Sequence, residues 1–396
     1  MKTENLLRGQ GSGAAKVTFV ELFFDLVYVF AVTQLSHLLV AHPNVHGAFQ
    51  TLLLMLAVWW AWMYTTWTTN WFDPDHKTVR FALIGVMLGS LLMSAALPQA
   101  FGDTGKLFAF AYVGIQVGRT LFMVIATWRH EFGPSFQRIL VWLTFSGMFW
   151  IAGAFASDGY REILWLIGLT IDYAGPWCRY FTPGLGRSET SDWKISGEHM
   201  AERCQLFIII ALGESLLVTG SLFGDLEITG TTFAAFFVAF AGSVAMWWIY
   251  FDRSAEHGSE VIANAQDPGR LGRSAYTYAH IPMVAGIIVA AVADEKILAH
   301  PSGHTSMTVA FFVLGGPAMF VLGHALYKNA HGARPSTHAL AFAALALLFP
   351  LHAVVTPLVL GATATAVLLG LATWESLAWR RSAHENVHHT EANLSK

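Results

Sequence analysis

Twelve apolar stretches, most of them about twenty residues long, follow one another along this chain with little between them. They lie near 17–41, 47–71, 78–98, 105–128, 134–156 and 160–181, then 202–223, 228–251, 274–294, 306–327, 336–351 and 353–379. Such a stretch crosses a bilayer as an α-helix, because backbone polar groups find no other partner in hydrocarbon. The alternating ten-residue segments of a membrane barrel are absent. Composition agrees: 55% of the residues are hydrophobic and 12% charged, too little charge to cover a soluble chain of 396 residues. The expected fold is all-α, a polytopic transmembrane bundle of about twelve helices. The first stretch follows Lys2, Arg8 and Lys16, yet it contains Glu21 and Asp25 and lacks a small-residue cleavage site, so it reads as a helix that stays.

Charge placement sets an expected orientation. With the N-terminus in the cytoplasm, twelve spans put nineteen of the 23 lysines and arginines on cytoplasmic segments. Lys106, Arg161 and Lys296 fall on the other side, and Arg119 falls inside the fourth span. Both termini are therefore expected in the cytoplasm. The longest hydrophilic stretch, 182–201, contains Pro183, Gly184 and Gly186 and reads as a cytoplasmic linker. It would separate two six-helix halves, 1–181 and 202–379, with a polar cytoplasmic tail at 380–396. Acid residues open the first and seventh spans at Glu21 and Glu202. Tryptophan-rich stretches followed by an acid, Trp59 to Asp73 and Trp247 to Asp252, close the second and eighth. Six helices per half make the two repeats parallel.

Ionisable residues inside spans are costly and mark candidate pathways. Glu21 and Asp25 stand at i and i+4 on one face of the first helix, where two carboxylates could share a proton or hold a cation; a salt bridge to a loop arginine is the structural alternative. Around the start of span seven, Glu198 pairs by spacing with Glu202, and His199 with Arg203. Glu214 lies about 18 Å deeper, beside Gly213 and Ser215; a pairing with Arg119 is its structural alternative. Asp172, His280 and His37 are lesser candidates. Trp59, Trp60, Trp62 and Trp67 suit an interface belt better than a substrate path. Cys178 and Cys204 read as small apolar side chains. His384, His388 and His389 occupy the tail without a second ligand set, so no metal and no cofactor is expected. No phosphate-binding glycine loop, nucleophile elbow or His-Glu-x-x-His helix is present, and the charge of -3 points to no nucleic acid.

The residues Glu-Leu-Phe-Phe-Asp-Leu-Val-Tyr-Val-Phe-Ala-Val at 21–32 and His-Met-Ala-Glu-Arg-Cys-Gln-Leu-Phe-Ile-Ile-Ile-Ala-Leu-Gly-Glu-Ser at 199–215 closely resemble the bacterial low temperature requirement A family. The resemblance implies a multi-spanning bacterial membrane protein associated in name with growth in the cold. It carries over Glu21, Asp25, Glu202, Arg203, Gly213 and Glu214, the acidic clusters already singled out, without assigning them roles. The leading expectation is a secondary transporter or a proton or cation pathway in the cytoplasmic membrane, using Glu21, Asp25, Glu202, Arg203, Glu214, Arg119 and Asp172. Its expected partners are the lipid bilayer and a proton, a cation or a small molecule. The alternatives are a membrane-embedded lipid-modifying enzyme and a sensor or scaffold in cold or stress adaptation, whose partner binds the linker. Oligomeric state stays open.

Overall fold

A computed structural model describes residues 6–8, 16–157, 159–189, 193, 195–252 and 254–394, with side chains to residue 378. The histidines of the tail lie outside the described side chains. Among the described residues the chain is helical without strands, as its hydropathy requires. The helices are α1 (Phe19–Ala41), α2 (Val45–Trp71), α3 (Lys77–Ala96), α4 (Gly105–Ala126), α5 (Gly133–Phe155), α6 (Tyr160–Trp177), α7 (Gly197–Asp225), α8 (Gly230–Phe251), α9 (Ser254–Ala263), α10 (Pro268–Leu271), α11 (His280–Ala299), α12 (Met307–Ala330), α13 (Ser336–Leu347) and α14 (Pro357–Leu394). Ten of the elements are long and apolar enough to cross a membrane. The others of comparable length, α6 and α11, each carry three charged residues: Arg161, Glu162 and Asp172 in α6, and Asp294, Glu295 and Lys296 in α11.

The surface confirms the class. Phe19, Phe81, Ile125, Leu340 and Leu347 are between 68% and 91% exposed, while Glu21, Asp25, His199 and Arg203 are at 0%. A water-soluble fold reverses that distribution; a lipid-embedded one requires it. Several boundaries differ from the hydropathy reading: α11 runs on to Ala299 rather than 294, and α14 continues through the expected tail to Leu394 rather than ending at 379. Helix α7 begins at Gly197 rather than 202, because Glu198 points outward while His199 and Arg203 find partners inside. The polar stretch after α8 also folds, into α9, α10 and a π-helical segment at Gly272–Tyr278.

The chain divides into two compact units. Unit 1 comprises residues 1–214 and 259–281, and unit 2 comprises 215–258 and 282–396. In unit 1, α2 is the central helix. It packs on α1, α4 and α6 and is buried almost all round from Ala57 to Asn70, where its side chains are apolar, aromatic or small hydroxyls and an amide that find partners inside. The segment Leu6–Arg8 runs antiparallel to its end. Arg8 N donates to Trp71 O (2.9 Å) and Asp73 N to Leu6 O (2.9 Å), and Leu6 is buried.

In unit 2, α11 and α12 meet through glycines. A Cβ on Gly286 would lie 2.5 Å from Phe320 N and 2.6 Å from Gly316 O, and one on Gly316 would lie 2.7 Å from Ala290 N. Small residues allow this backbone approach, the usual means of helix association where lipid removes the hydrophobic drive. Both neighbours are backbone atoms and cannot swing away. Gly286→Val should therefore lower thermal stability in detergent by about 1–3 kcal/mol or more. The equivalent change at Gly85, which has nothing within 4 Å of the added atom, should stay within about 0.5 kcal/mol.

Candidate functional site

The first helix and the seventh meet rung by rung inside unit 1. Glu21 and Asp25 stand one turn apart on α1, and His199 and Arg203 one turn apart on α7, so matching rungs form when the two helices run in the same direction. Glu21 Oε1 lies 2.7 Å from His199 Nε2, and Arg203 Nη1 donates to Asp25 Oδ2 at 2.7 Å. The Arg203 Nη1 also donates to the Glu21 carbonyl at 3.0 Å, which stitches the two rungs together.

Each carboxylate is further held. Glu21 Oε2 accepts from Arg8 Nη2 (3.0 Å), Thr18 N (2.9 Å) and Thr18 Oγ1 (2.9 Å). It stands in the first turn of α1, so the same oxygens satisfy the helix start and sit at its favourable dipole end. Asp25 Oδ1 accepts from Trp62 Nε1 of α2 at 2.8 Å. Charge-assisted bonds of this kind offset part of the cost of taking the carboxylates out of water. The guanidinium of Arg203 is not satisfied in the same way. It stacks near Trp62 and Phe24, at 5.5 and 5.8 Å from the ring centroids, while its Nε and Nη2 are buried without a hydrogen-bond partner among the described residues.

The proton on His199 follows from its neighbours. Ser196 N donates to Asn70 Oδ1 and Asn70 Nδ2 donates to Ser196 O, both at 2.8 Å, which fixes the amide orientation. Asn70 Nδ2 then also faces His199 Nδ1 at 3.2 Å, so that ring nitrogen accepts. A neutral ring therefore carries its proton on Nε2 and donates it to Glu21.

A second polar chain crosses the interior from α4 to α6. Arg119 Nη2 donates to Gln116 Oε1 (2.5 Å), Gln116 Nε2 to Tyr112 OH (3.4 Å), and Tyr112 OH to Asp172 Oδ2 (2.8 Å). Arg119 Nη1 also reaches Ala61 O and Thr65 Oγ1 on α2. Arg119 therefore does not pair with Glu214, which is 4% exposed and makes no side-chain hydrogen bond or ion pair among the described residues. The remaining candidates separate. Glu202 is half-buried and accepts from Val17 N at 3.0 Å. His280 is a packing histidine: its Nδ1–H donates to Ala275 O and its ring stacks on Tyr276 and Trp59. Glu198 and His37 are exposed and join neither chain.

The tryptophans of α2 do not form an interface belt. Trp59, Trp60 and Trp62 are at most 2% exposed and Trp67 is 8% exposed. Trp59 donates to Thr277 O, Trp67 to Thr277 Oγ1 and Trp62 to Asp25, so this helix is anchored to the π-helical segment and to the carboxylates at once. Trp60, Tyr64, Trp67 and Trp71 of α2 also line a narrow cavity with Tyr180 and Arg273. Two donors among these residues, Trp60 Nε1 and Arg273 Nε, are buried without a partner among the described residues. The sequence reading did not place Arg8 or Trp62 in the site and did not single out Asn70 at all. Arg8 was legible only as loop charge, and nothing in one sequence says that Trp62 and Asn70 face α1 and α7.

Removing Arg203 leaves Asp25 charged and buried. Arg203→Met should lower stability in micelles by about 3–5 kcal/mol, and adding Asp25→Asn should recover part of that loss. Losses that simply add in the double variant would contradict the pairing.

A family model described as "Bacterial low temperature requirement A protein (LtrA)" matches residues 16–373. An uncharacterized protein of Rhizobium meliloti (strain 1021) is 38% identical over 384 residues, covering 95% of this chain and 94% of that protein. No solved structure matches. The matched region contains α1, α7 and both rungs between them, and the chain belongs to the bacterial low temperature requirement A family of multi-pass membrane proteins.

Proposed function

We propose that this protein is a proton-coupled secondary transporter of the bacterial cytoplasmic membrane, with both termini in the cytoplasm. Its proton-exchanging groups are Glu21–His199 and Asp25–Arg203, and its substrate binds in the aromatic cavity beside them. The observation that carries the reading is the double rung itself: two carboxylates at 0% exposure, each 2.7 Å from a basic group on another helix. Packing alone would be served as well or better by apolar side chains, since a buried ion pair seldom repays its desolvation. A carboxylate facing a histidine or an arginine has a second use. Protonating it removes one charge from the rung and loosens α1 from α7, so proton occupancy biases a two-state contact. Glu214, buried farther along α7 without an ion partner, is the next carrier on this path.

The cavity supports a substrate with an aromatic or apolar body and one acceptor or anionic group. Its walls stack flat rings, and Trp60 Nε1 and Arg273 Nε stand there as unsatisfied donors. Helix α2 carries both the cavity stripe and Trp62, the ligand of Asp25, so a shift at one site is felt at the other through one rigid element. The parallel run of α1 and α7 favours two six-helix halves related as parallel repeats, joined by a cytoplasmic linker that ends where α7 begins at Gly197.

Purified protein in liposomes with an entrapped pH dye tests this directly. Wild type should move protons when challenged with small aromatic anions. His199→Gln, Asp25→Asn and Glu214→Gln should each cut that flux about tenfold or more, a range typical of lost proton-transfer groups. Folded wild-type protein that gives no flux above empty liposomes, or variants with undiminished flux, would overturn the reading.

A further inference from the structure

Unit 2 contains a cluster that the proton pathway does not use. His324 on α12, His338 on α13 and Glu375 on α14 each offer one ligand atom, and these atoms lie within 4.8 Å of one another. Both histidines are fully buried, and His324 Nδ1 is 2.7 Å from His338 Nε2. We propose that these three side chains bind a divalent transition-metal ion of the zinc type, completing its shell with a water.

Two imidazoles and one carboxylate are a common three-ligand set for a zinc site that keeps one position open. Tetrahedral coordination at about 2.0–2.1 Å places ligand atoms roughly 3.3 Å apart. The ligand atoms here lie within 4.8 Å of one another, and His338 meets its neighbours through opposite ring nitrogens, Nε2 at 2.7 Å from His324 Nδ1 and Nδ1 at 3.4 Å from Glu375 Oε1. Turning the His338 ring and the Glu375 carboxyl group aims one nitrogen and one oxygen at a common point, and the ion takes the place of the hydrogen bond between the rings.

The surroundings orient the ligands. The ring of His324 stacks on Phe320 and Tyr327, at 6.5 and 6.1 Å between centroids. The carboxylate is fixed through one oxygen, Glu375 Oε1, which accepts from Lys328 Nζ at 2.6 Å and Thr337 Oγ1 at 3.2 Å and lies 3.4 Å from His338 Nδ1. No contact falls on Oε2 among the described residues, so it is available to the ion. Outer partners of this kind hold first-contact ligands in place and tune affinity. Lys328 lies in the last turn of α12 and His338 in the first turn of α13, and the Lys328 and Glu375 side chains are 24% and 19% exposed. Lys328 and Glu375 thus form the one partly exposed edge of the described cluster. In sequence the ligands span positions 324 to 375 with no metal-motif spacing, so the site is visible only after folding.

The test uses the full-length protein in micelles, tag removed and stripped with chelator, titrated with Zn²⁺ alone and with Co²⁺ as an optical probe. The expected result is one ion per chain with the visible bands of tetrahedral cobalt. His338→Ala and Glu375→Gln should each weaken Zn²⁺ binding at least tenfold, at unchanged elution volume and helical content. Replacing His384, His388 and His389 together by alanine should leave it intact. Should His338→Ala fail to fold, Glu375→Gln carries the test, because it keeps the shape and removes only the charge. No Zn²⁺ bound by folded wild type, undiminished binding in Glu375→Gln, or binding that disappears with the tail histidines would overturn the proposal.

Discussion

Four charged or ionisable groups buried in a low-dielectric interior cannot be left unmatched, and the pairing of Glu21 with His199 and Asp25 with Arg203 is the constraint on which unit 1 depends. An isolated carboxylate there would cost several kilocalories per mole. Matching them demands that α1 and α7 run the same way and in register, a demand met across a sequence separation of 178 residues. The other features follow from that register. Arg8 is drawn back along the end of α2 to share Glu21, Trp62 is turned toward Asp25, and Asn70 holds both the entry of α7 and the ring of His199. Apolar packing supplies the bulk of the helix contacts, but it is tolerant of rotation and slippage in a way that a fixed ion pair and a fixed carboxylate–imidazole hydrogen bond are not.

Helix α2 links this lock to the rest of unit 1. One stripe reaches the carboxylates, another lines the aromatic cavity, and a third, through Ala61 and Thr65, receives Arg119 and with it the chain to Asp172. No single face of α2 meets lipid between Ala57 and Asn70. A helix that serves three polar or aromatic sites must be buried all round, and its tryptophans are consequently internal. Reading them as a belt failed because tryptophan suits both settings: its ring is apolar enough for an interior and its N–H needs one partner, which here is a carboxylate, a carbonyl or a hydroxyl rather than interfacial water.

The all-helical class and most of the helix series were legible, because hydrophobic length is a local property and lipid permits one answer to it. The carboxylates and their basic partners were legible as costs: i and i+4 spacing put Glu21 with Asp25 and His199 with Arg203 on shared faces, though which face met which was not. What escaped depends on contacts distant in sequence. Arg119 and Asp172 find each other through Tyr112 and Gln116, two residues without a signal of their own, so the expected alternative of an Arg119–Glu214 pair was reasonable by charge and wrong by geometry. The histidine cluster of unit 2 was invisible for the same reason, its members sitting on three helices. The fold of 254–273 escaped because its polar composition resembles a loop while its helices are short, with Asp267 capping α10.

The proposed transport cycle requires Glu21 and Asp25 to exchange protons while paired with α7. Infrared difference spectroscopy of the reconstituted full-length protein across an acid step measures this most directly. The account predicts conversion of carboxylate to protonated carboxyl signal that shrinks in both Glu21→Gln and Asp25→Asn and persists in Asp294→Asn. A spectrum identical in wild type and in both α1 variants would contradict it and leave the two rungs as structural locks.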